Sequence, residues 1–316
     1  MGPVGEQTLA DIGEFALIGE LTKRFTQGEQ VLVGPGDDAA LLRIRNGHVV
    51  VSTDLLVEGR HFRQDWASAA DVGHRAAAQN LSDINAMGGR AHSLTIGLAA
   101  PADLPVSWAL DFAAGFAEEC ALVGASVVGG DLTRSSEIVV SVTVLGSVTQ
   151  APVLRSGARP GDVLALAGRQ GWAAAGLAVL GRGFRSPRAV VSAYQRPEPP
   201  YDAGPAAAAA GATAMVDVSD GLLAEAGHLA AASGVAIDVS TSTFDVPEPF
   251  EAVAAALNAD PVSFVLTGGD DHALLATFPP DAALPDGWQV IGSVTEGEGV
   301  TVDAAPYDGP AGWTHF

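Results

Sequence analysis

One cysteine and one lysine stand among 316 residues, and each scarcity removes a class of chemistry. A single Cys allows neither a disulfide framework nor a thiolate metal cluster. Cys120 lies in a helical-looking stretch beside Glu119, with no cationic neighbour to lower its pKa, so it reads as a core thiol rather than a nucleophile. The lone lysine, Lys23, sits in LTKRF. A Walker A loop ends in Lys-Ser/Thr and a protein kinase needs a strand lysine, so neither phosphate-binding device is present. The seven histidines are isolated, and no H-x-x-x-H pair offers a zinc face. No run of 18 strongly apolar residues suggests a membrane span, and the N-terminus MGPVGEQTLADIGEF lacks the basic region of a signal peptide. A cytoplasmic chain is expected. Basic residues are few, 16 against 37 acids for a net charge of −21, which argues against binding nucleic acid or an anionic membrane through a basic surface.

What the chain has is aspartate at the mouths of apolar segments. They read GPGDDAALL (34–42), VVVSTDLL (49–56), NLSDINAMGG (80–89), VVGGDLTR (127–134), MVDVSDGLL (215–223) and VLTGGDDHALL (265–275). Most place an acid beside Gly, Ser or Thr next to a run of Val, Leu, Ile or Ala, so the carboxylates are held by the core and aimed out of it. Taken singly, each could be a helix cap or a turn residue. Several converging on one site repel unless cations lie between them, and Mg²⁺ with oxygen ligands, bridging to phosphate, suits such a set.

The alternation of helical and extended patterns predicts two α/β (or α+β) halves, residues 1–150 and 151–316, joined near the Gly-, Arg- and Pro-rich VLRSGARPGDVLALAG. In the first half, helices are expected over 13–25, 71–89 (capped by Asp71) and 106–124. Strands are expected over 47–56, ending at Ser52-Thr53-Asp54, and over 125–131, ending at Gly129-Gly130-Asp131, with two more between and after them. On the second helix Asn80, Asp83 and Met87 share a face. The second half repeats strand, acid-bearing turn and helix. Trp66, Trp108, Trp172 and Trp288 read as packing residues.

The motifs GDDAAL, STDLLVEGRHF, NLSDINAMG, GGDLTR, RSGARPGD, DVSDGL and GGDDHAL resemble those of thiamine-monophosphate kinases, in the same order and at similar separations from Gly13 to Phe316. This family belongs to the aminoimidazole-ribonucleotide-synthetase-like (PurM-like) superfamily. The resemblance implies a two-domain fold whose N-terminal mixed sheet, helix-covered on one face, pairs in a homodimer, with a C-terminal α/β domain closing the cleft. It implies transfer of the ATP γ-phosphate to thiamine monophosphate, giving thiamine diphosphate, by direct in-line, Mg²⁺-assisted transfer. Residue by residue, it implies Mg²⁺ ligation by Asp38, Thr53, Asp54, Asp83 and Asp131, with Ser52 through its backbone and Asp217 and Asp220 from the second half. Asp83, Asp131 and Asp220 are the implied catalytic acids. Gly130, Asp131, Arg155 and Ser219 are the implied ATP contacts. His61, Asp270 and Trp313 are the implied substrate contacts, although relatives have Glu where this chain has Asp270 and often Tyr where it has His272. The indole of Trp313 is a candidate to stack on a flat cationic ring.

Two rivals define what the site has to exclude. Another ATP-using enzyme of the superfamily, such as a selenophosphate synthetase or an amidine-forming ligase, shares the acid set; the synthetase is expected to carry Cys or selenocysteine and Lys near the N-terminus, where only Lys23 stands. A non-catalytic module binding divalent cations predicts EF-hand or nonapeptide spacing, which is absent.

Overall fold

Alternation with a period of two builds the first sheet. Along VVSVTVLGS every second residue is buried, the pattern of a strand with one face on a core and one away from it. In this computed structural model, which describes residues 7–12, 14–33, 41–44 and 48–313, the chain divides into two compact units. One comprises Met1–Ile84 and Arg90–Ser147; the other comprises Asn85–Gly89 and Val148–Phe316.

The first unit begins with α1 (Leu9–Ile12), α2 (Glu14–Thr22) and the short pair β1 (Val31–Val33) and β2 (Leu41–Leu42). Then come β3 (Val50–Val57), α3 (Ala69–Ala86, whose last two residues cluster with the other unit), β4 (Arg90–Ala100), α4 (Val106–Val123), β5 (Ser126–Arg134) and β6 (Val139–Ser147). The four long strands form a mixed sheet in the order β3-β6-β4-β5, with β4–β5 parallel and the other pairs antiparallel. Its inner face buries Leu56, Leu94, Ile96, Leu98, Val140, Val142 and Val144 beneath the apolar sides of α3 and α4, including Val72, Leu81, Ile84, Phe112 and Phe116. Trp108 stacks on Phe112 within α4, ring centroids 5.6 Å apart. Cys120 is buried in this layer, as its apolar setting suggested.

Three local readings change. Ser52-Thr53-Asp54 and Gly129-Gly130-Asp131 do not end their strands, because the ladder continues on to Val57 and Arg134. The helix α3 is capped by Ser68 rather than Asp71. Ser68 donates from its amide (3.0 Å) and hydroxyl (2.7 Å) to Asp71 Oδ2, while its Oγ accepts from the Asp71 amide (3.3 Å). That is a reciprocal capping box, in which the acid three residues in partners the cap.

The second unit contains β7 (Val163–Ala167), α5 (Trp172–Gly181), α6 (Arg188–Gln195), α7 (Ala203–Ala209), β8 (Ala214–Asp217), α8 (Leu222–Ser233), β9 (Ala236–Val239), α9 (Glu248–Leu257), α10 (Pro261–Thr267), β10 (Leu274–Phe278), β11 (Trp288–Thr295), β12 (Gly299–Val302) and β13 (Ala305–Pro306). Its strands order as β13-β12-β9-β11-β7-β10-β8. The strands β8 and β10 are buried along their whole length, which explains their continuous apolar sequences: a strand covered on both faces has no reason to alternate. Both carry at their ends the loops that bear implied site residues.

Candidate active site

In the first unit the implied ligands lie on two edges of one sheet. β3 is an edge strand, and its outward Asp54 amide donates to Asn80 Oδ1 (3.2 Å). Asn80 is fully buried and donates its own amide to Ala76 O (2.9 Å), so α3 is locked against that edge. Asp83 stands three residues further along α3, on the same helical face as Asn80. Thr53 points the other way. It is exposed and shares a hydroxyl–hydroxyl hydrogen bond of 2.9 Å with Thr143 on β6. Neighbours on a strand face opposite sides, so Thr53 and Asp54 present donors to opposite faces of the sheet.

Asp131 stands on β5, the other edge, and is exposed. Its register row runs Leu55, Ser141, Gly97, Asp131 across the four strands, so it shares the outer face with exposed Leu55. Gly130 before it has to be glycine, because a Cβ there would run into the Ile96 carbonyl of the adjacent strand. His61 follows β3 in a turn. Its Nδ1 accepts from the Val57 amide (2.9 Å), so the neutral ring carries its proton on Nε2 and presents a donor there. Asp38, with its neighbour Asp37, lies outside the described residues.

In the second unit the implied residues are laced together. β8 ends at Asp217, which is buried and pairs through Oδ2 with His272 Nδ1 at 3.1 Å. The turn Ser219-Asp220-Gly221 leads into α8. The Ser219 carbonyl accepts from the Asp270 amide (2.9 Å) and the Asp220 carbonyl accepts from the Trp313 amide (2.8 Å). Gly269 presses against the Ser219 carbonyl so closely that any side chain there would clash. Asp270 and His272 both take left-handed backbone conformations, φ 66° and 53°, a strain that non-glycine residues hold only where surrounding contacts impose it. Trp313 leaves 64% of its surface exposed. Arg155 is exposed on the loop before β7, and its carbonyl accepts from the hydroxyl of Ser233 at the end of α8 (3.2 Å).

Two buried carboxyls stand behind these loops, and sequence reasoning passed over one of them. Glu225, in the first turn of α8, accepts from the Ser219 hydroxyl (3.2 Å). Burial, with Asp217 close by, pushes it up to about 7, against the pull of Arg155 and a hydrogen bond from the Asp220 amide. Asp271 accepts from the Ala173 amide at the start of α5 (3.0 Å). Burial likewise pushes it up to about 7, opposed first by that hydrogen bond. The signal for Glu225 was an acid in an otherwise apolar helix, four residues past a glycine cap.

Among the described residues, no three His, Cys, Asp or Glu side chains are gathered closely enough to hold a metal ion. The strand order explains part of this: Asp54 and Asp131 stand three strands apart. The donors present (carboxylate and hydroxyl oxygens with no thiolate) nevertheless suit Mg²⁺.

The AIR synthase related protein models match this chain, the N-terminal domain over residues 36–148 and the C-terminal domain over 159–305. A thiamine-monophosphate kinase of Mycobacterium tuberculosis is 47% identical over 98% of this chain and 93% of its own length. The chain belongs to the thiamine-monophosphate kinase family. A solved thiamine-monophosphate kinase from Stenotrophomonas maltophilia K279a superposes with a TM-score of 0.82 at 31% identity, over 93% of this chain and 98% of that one. The protein AaThiL, solved in complex with AMPPCP and TMP, superposes with a TM-score of 0.81 at 34% identity, over 98% and 99% of the two chains. The two-unit α/β architecture is therefore that of the thiamine-monophosphate kinases. The present chain carries a Gly-Gly-Asp-Asp loop at 268–271 and follows it with His272, which pairs with Asp217.

Proposed function

We propose that the protein transfers the γ-phosphate of ATP to the phosphate of thiamine monophosphate, giving thiamine diphosphate. One observation carries this reading beyond family likeness. Two main-chain hydrogen bonds, Asp270 to Ser219 and Trp313 to Asp220, bring the expected acceptor contacts against the expected nucleotide and metal contacts. A phosphoryl transferase needs its donor and acceptor sites to adjoin in this way. A relative of the same fold solved with AMPPCP and TMP gives the reading its ligands.

Both reacting groups are anionic phosphates, so the work is positioning and charge neutralisation. The acceptor phosphate is already a nucleophile near neutral pH and needs no general base, in keeping with a site built of acids, one arginine and two histidines. Arg155 supplies fixed positive charge beside Glu225. His61, its Nδ1 occupied by the Val57 amide, offers Nε2–H to an acceptor phosphate oxygen. The exposed indole of Trp313 offers a face for the thiamine rings. Asp54, Asp83, Asp131, Asp217 and Asp220, with Ser52 and Thr53, would hold Mg²⁺, which when bound offsets the phosphate charge. The expected course is in-line transfer.

We also read the protein as a homodimer formed through the outer face of the first sheet, where Val49, Val51 and Leu55 are 45%, 60% and 53% exposed. That face is mixed, because a row of Thr53, Thr143 and Thr95 crosses it. A coupled assay with ATP and Mg²⁺ tests the activity. Turnover is expected with thiamine monophosphate and not with free thiamine; equal turnover of both, or none with the monophosphate, refutes the reading.

A further inference from the structure

The helix α8 begins at a glycine, Gly221, which offers no side chain to satisfy the first turn. Glu225 reaches back in its place. Its carboxylate accepts from the Ser219 hydroxyl (3.2 Å), and its own amide donates to Gly221 O (3.0 Å). It does this while 2% exposed, packed among Leu222, Leu223, Ala226 and Leu229, and its second oxygen has no protein partner among the described residues. A buried carboxylate with one unsatisfied oxygen is costly against an apolar side chain of similar size. A cap alone does not need one, since Ser or Asp at the cap position serves at less cost.

We infer that Glu225 is a positioning residue for the nucleotide, an inference that rests on the kinase reading: its buried carboxylate sets the Ser219 hydroxyl in one orientation and so fixes the turn that meets the phosphates. Hydrogen-bond polarity sharpens the point. With Glu225 ionised, the single Ser219 hydroxyl proton points to it, so the hydroxyl oxygen is left to accept from a cation or a donor group rather than to donate to a phosphate oxygen.

Glu225→Leu and Glu225→Gln separate this role from simple capping. Glu225→Leu removes the costly carboxylate and is expected to melt no lower than the wild type. Its KM for ATP, and its Kd for a non-hydrolysable ATP analogue with Mg²⁺ by calorimetry, are expected to rise at least tenfold, with KM for thiamine monophosphate within twofold. Glu225→Gln keeps an acceptor oxygen and is expected to stay within threefold of wild type for both substrates. Unchanged nucleotide affinity in Glu225→Leu, or both KM values rising together with a lower melting temperature, overturns the inference. If Glu225→Leu does not fold, Glu225→Asp carries the test: one methylene short, it is expected to show the same nucleotide-only loss, and wild-type affinity refutes the role. The calorimetry judges Glu225 even if the wild type does not turn over thiamine monophosphate, which would sink the kinase reading alone. A wild type that binds no nucleotide overturns both.

Discussion

Asp54→Asn and Asp131→Asn, each inactive alone, are expected to restore activity when combined in one dimer. The reasoning is geometric. Asp54 aligns with Val142, Val142 with Ile96 and Ile96 with Gly130, so Asp54 and Asp131 stand on opposite edges of the first sheet, three strand spacings apart. At ~4.8 Å per spacing that is ~14 Å across the sheet. Two oxygens on one Mg²⁺ are at most about 4 Å apart, and two aspartate side chains cannot close the difference, least of all from opposite faces. If both acids serve one phosphate-bridging metal, as the family resemblance implies, the second has to come from a partner copy whose β5 edge meets the β3 edge of this sheet. In a two-fold dimer every site then pairs Asp54 of one chain with Asp131 of the other. A mixed dimer of the two variants has one doubly damaged site and one intact site. Random reassembly makes half the dimers mixed, so about a quarter of wild-type turnover is expected. The assay is coupled turnover of thiamine monophosphate after the two purified variants are unfolded and refolded together, with each refolded alone as the baseline. Recovery no greater than that baseline refutes the shared site, and a monomer in sedimentation at micromolar concentration removes its premise.

Three further perturbations follow from individual residues. Asp271 has its carboxyl raised from 3.8 to about 7 in the folded protein, so folding takes up a proton between those values: the destabilisation is absent below the lower, complete above the upper, and on the order of 4 kcal/mol at most. Asp271→Asn keeps the acceptor for Ala173, so its melting temperature is expected to exceed wild type at pH 8 and to fall less between pH 5 and 8; an unchanged slope refutes the assignment. Gly130→Ala drives a methyl into the Ile96 carbonyl and is expected to lose 1–3 kcal/mol or so of stability and most turnover, and near-normal activity would show that β5 yields. Trp313→Ala is expected to raise KM for thiamine monophosphate several-fold with little change for ATP; unchanged acceptor affinity would return this indole to a purely structural role.

Element types were legible where one physical pattern dominated. The apolar spacing of α3 and α4 and the alternation of β6 needed no tertiary information. The strand VLALA over 163–167 was passed over because its neighbourhood is rich in Gly, Arg and Pro, yet β7 is a central strand of its sheet. Its brevity and continuous apolarity carry no period. The short helices α6, α7 and α9 were missed for a related reason, since a helix of two turns offers too few repeats to register. The strand ends at Asp54 and Asp131 were placed too early because Gly and Asp usually punctuate strands; here glycine at 130 serves a close approach between neighbouring backbones instead.

The site was legible as a set of residues and not as an arrangement. Sequence places Ser219, Asp220, Asp270 and Trp313 as far as 94 positions apart, and only two main-chain hydrogen bonds show that they form one locus. Glu225 was passed over, and His272 noted only as a departure from relatives, for the complementary reason. Each acts on a residue that was recognised, Glu225 on Ser219 and His272 on Asp217, and support of that kind leaves no motif, because many side chains of suitable length can supply it from many positions. Register hides a further fact. Thr53, Asp54 and Asp131 read as one acidic set along the chain, yet the order β3-β6-β4-β5 sends them to opposite edges, and the pleat sends Thr53 and Asp54 to opposite faces. A ligand set implied by a motif list is therefore a claim about an assembly, and the sheet order decides how many chains that assembly needs.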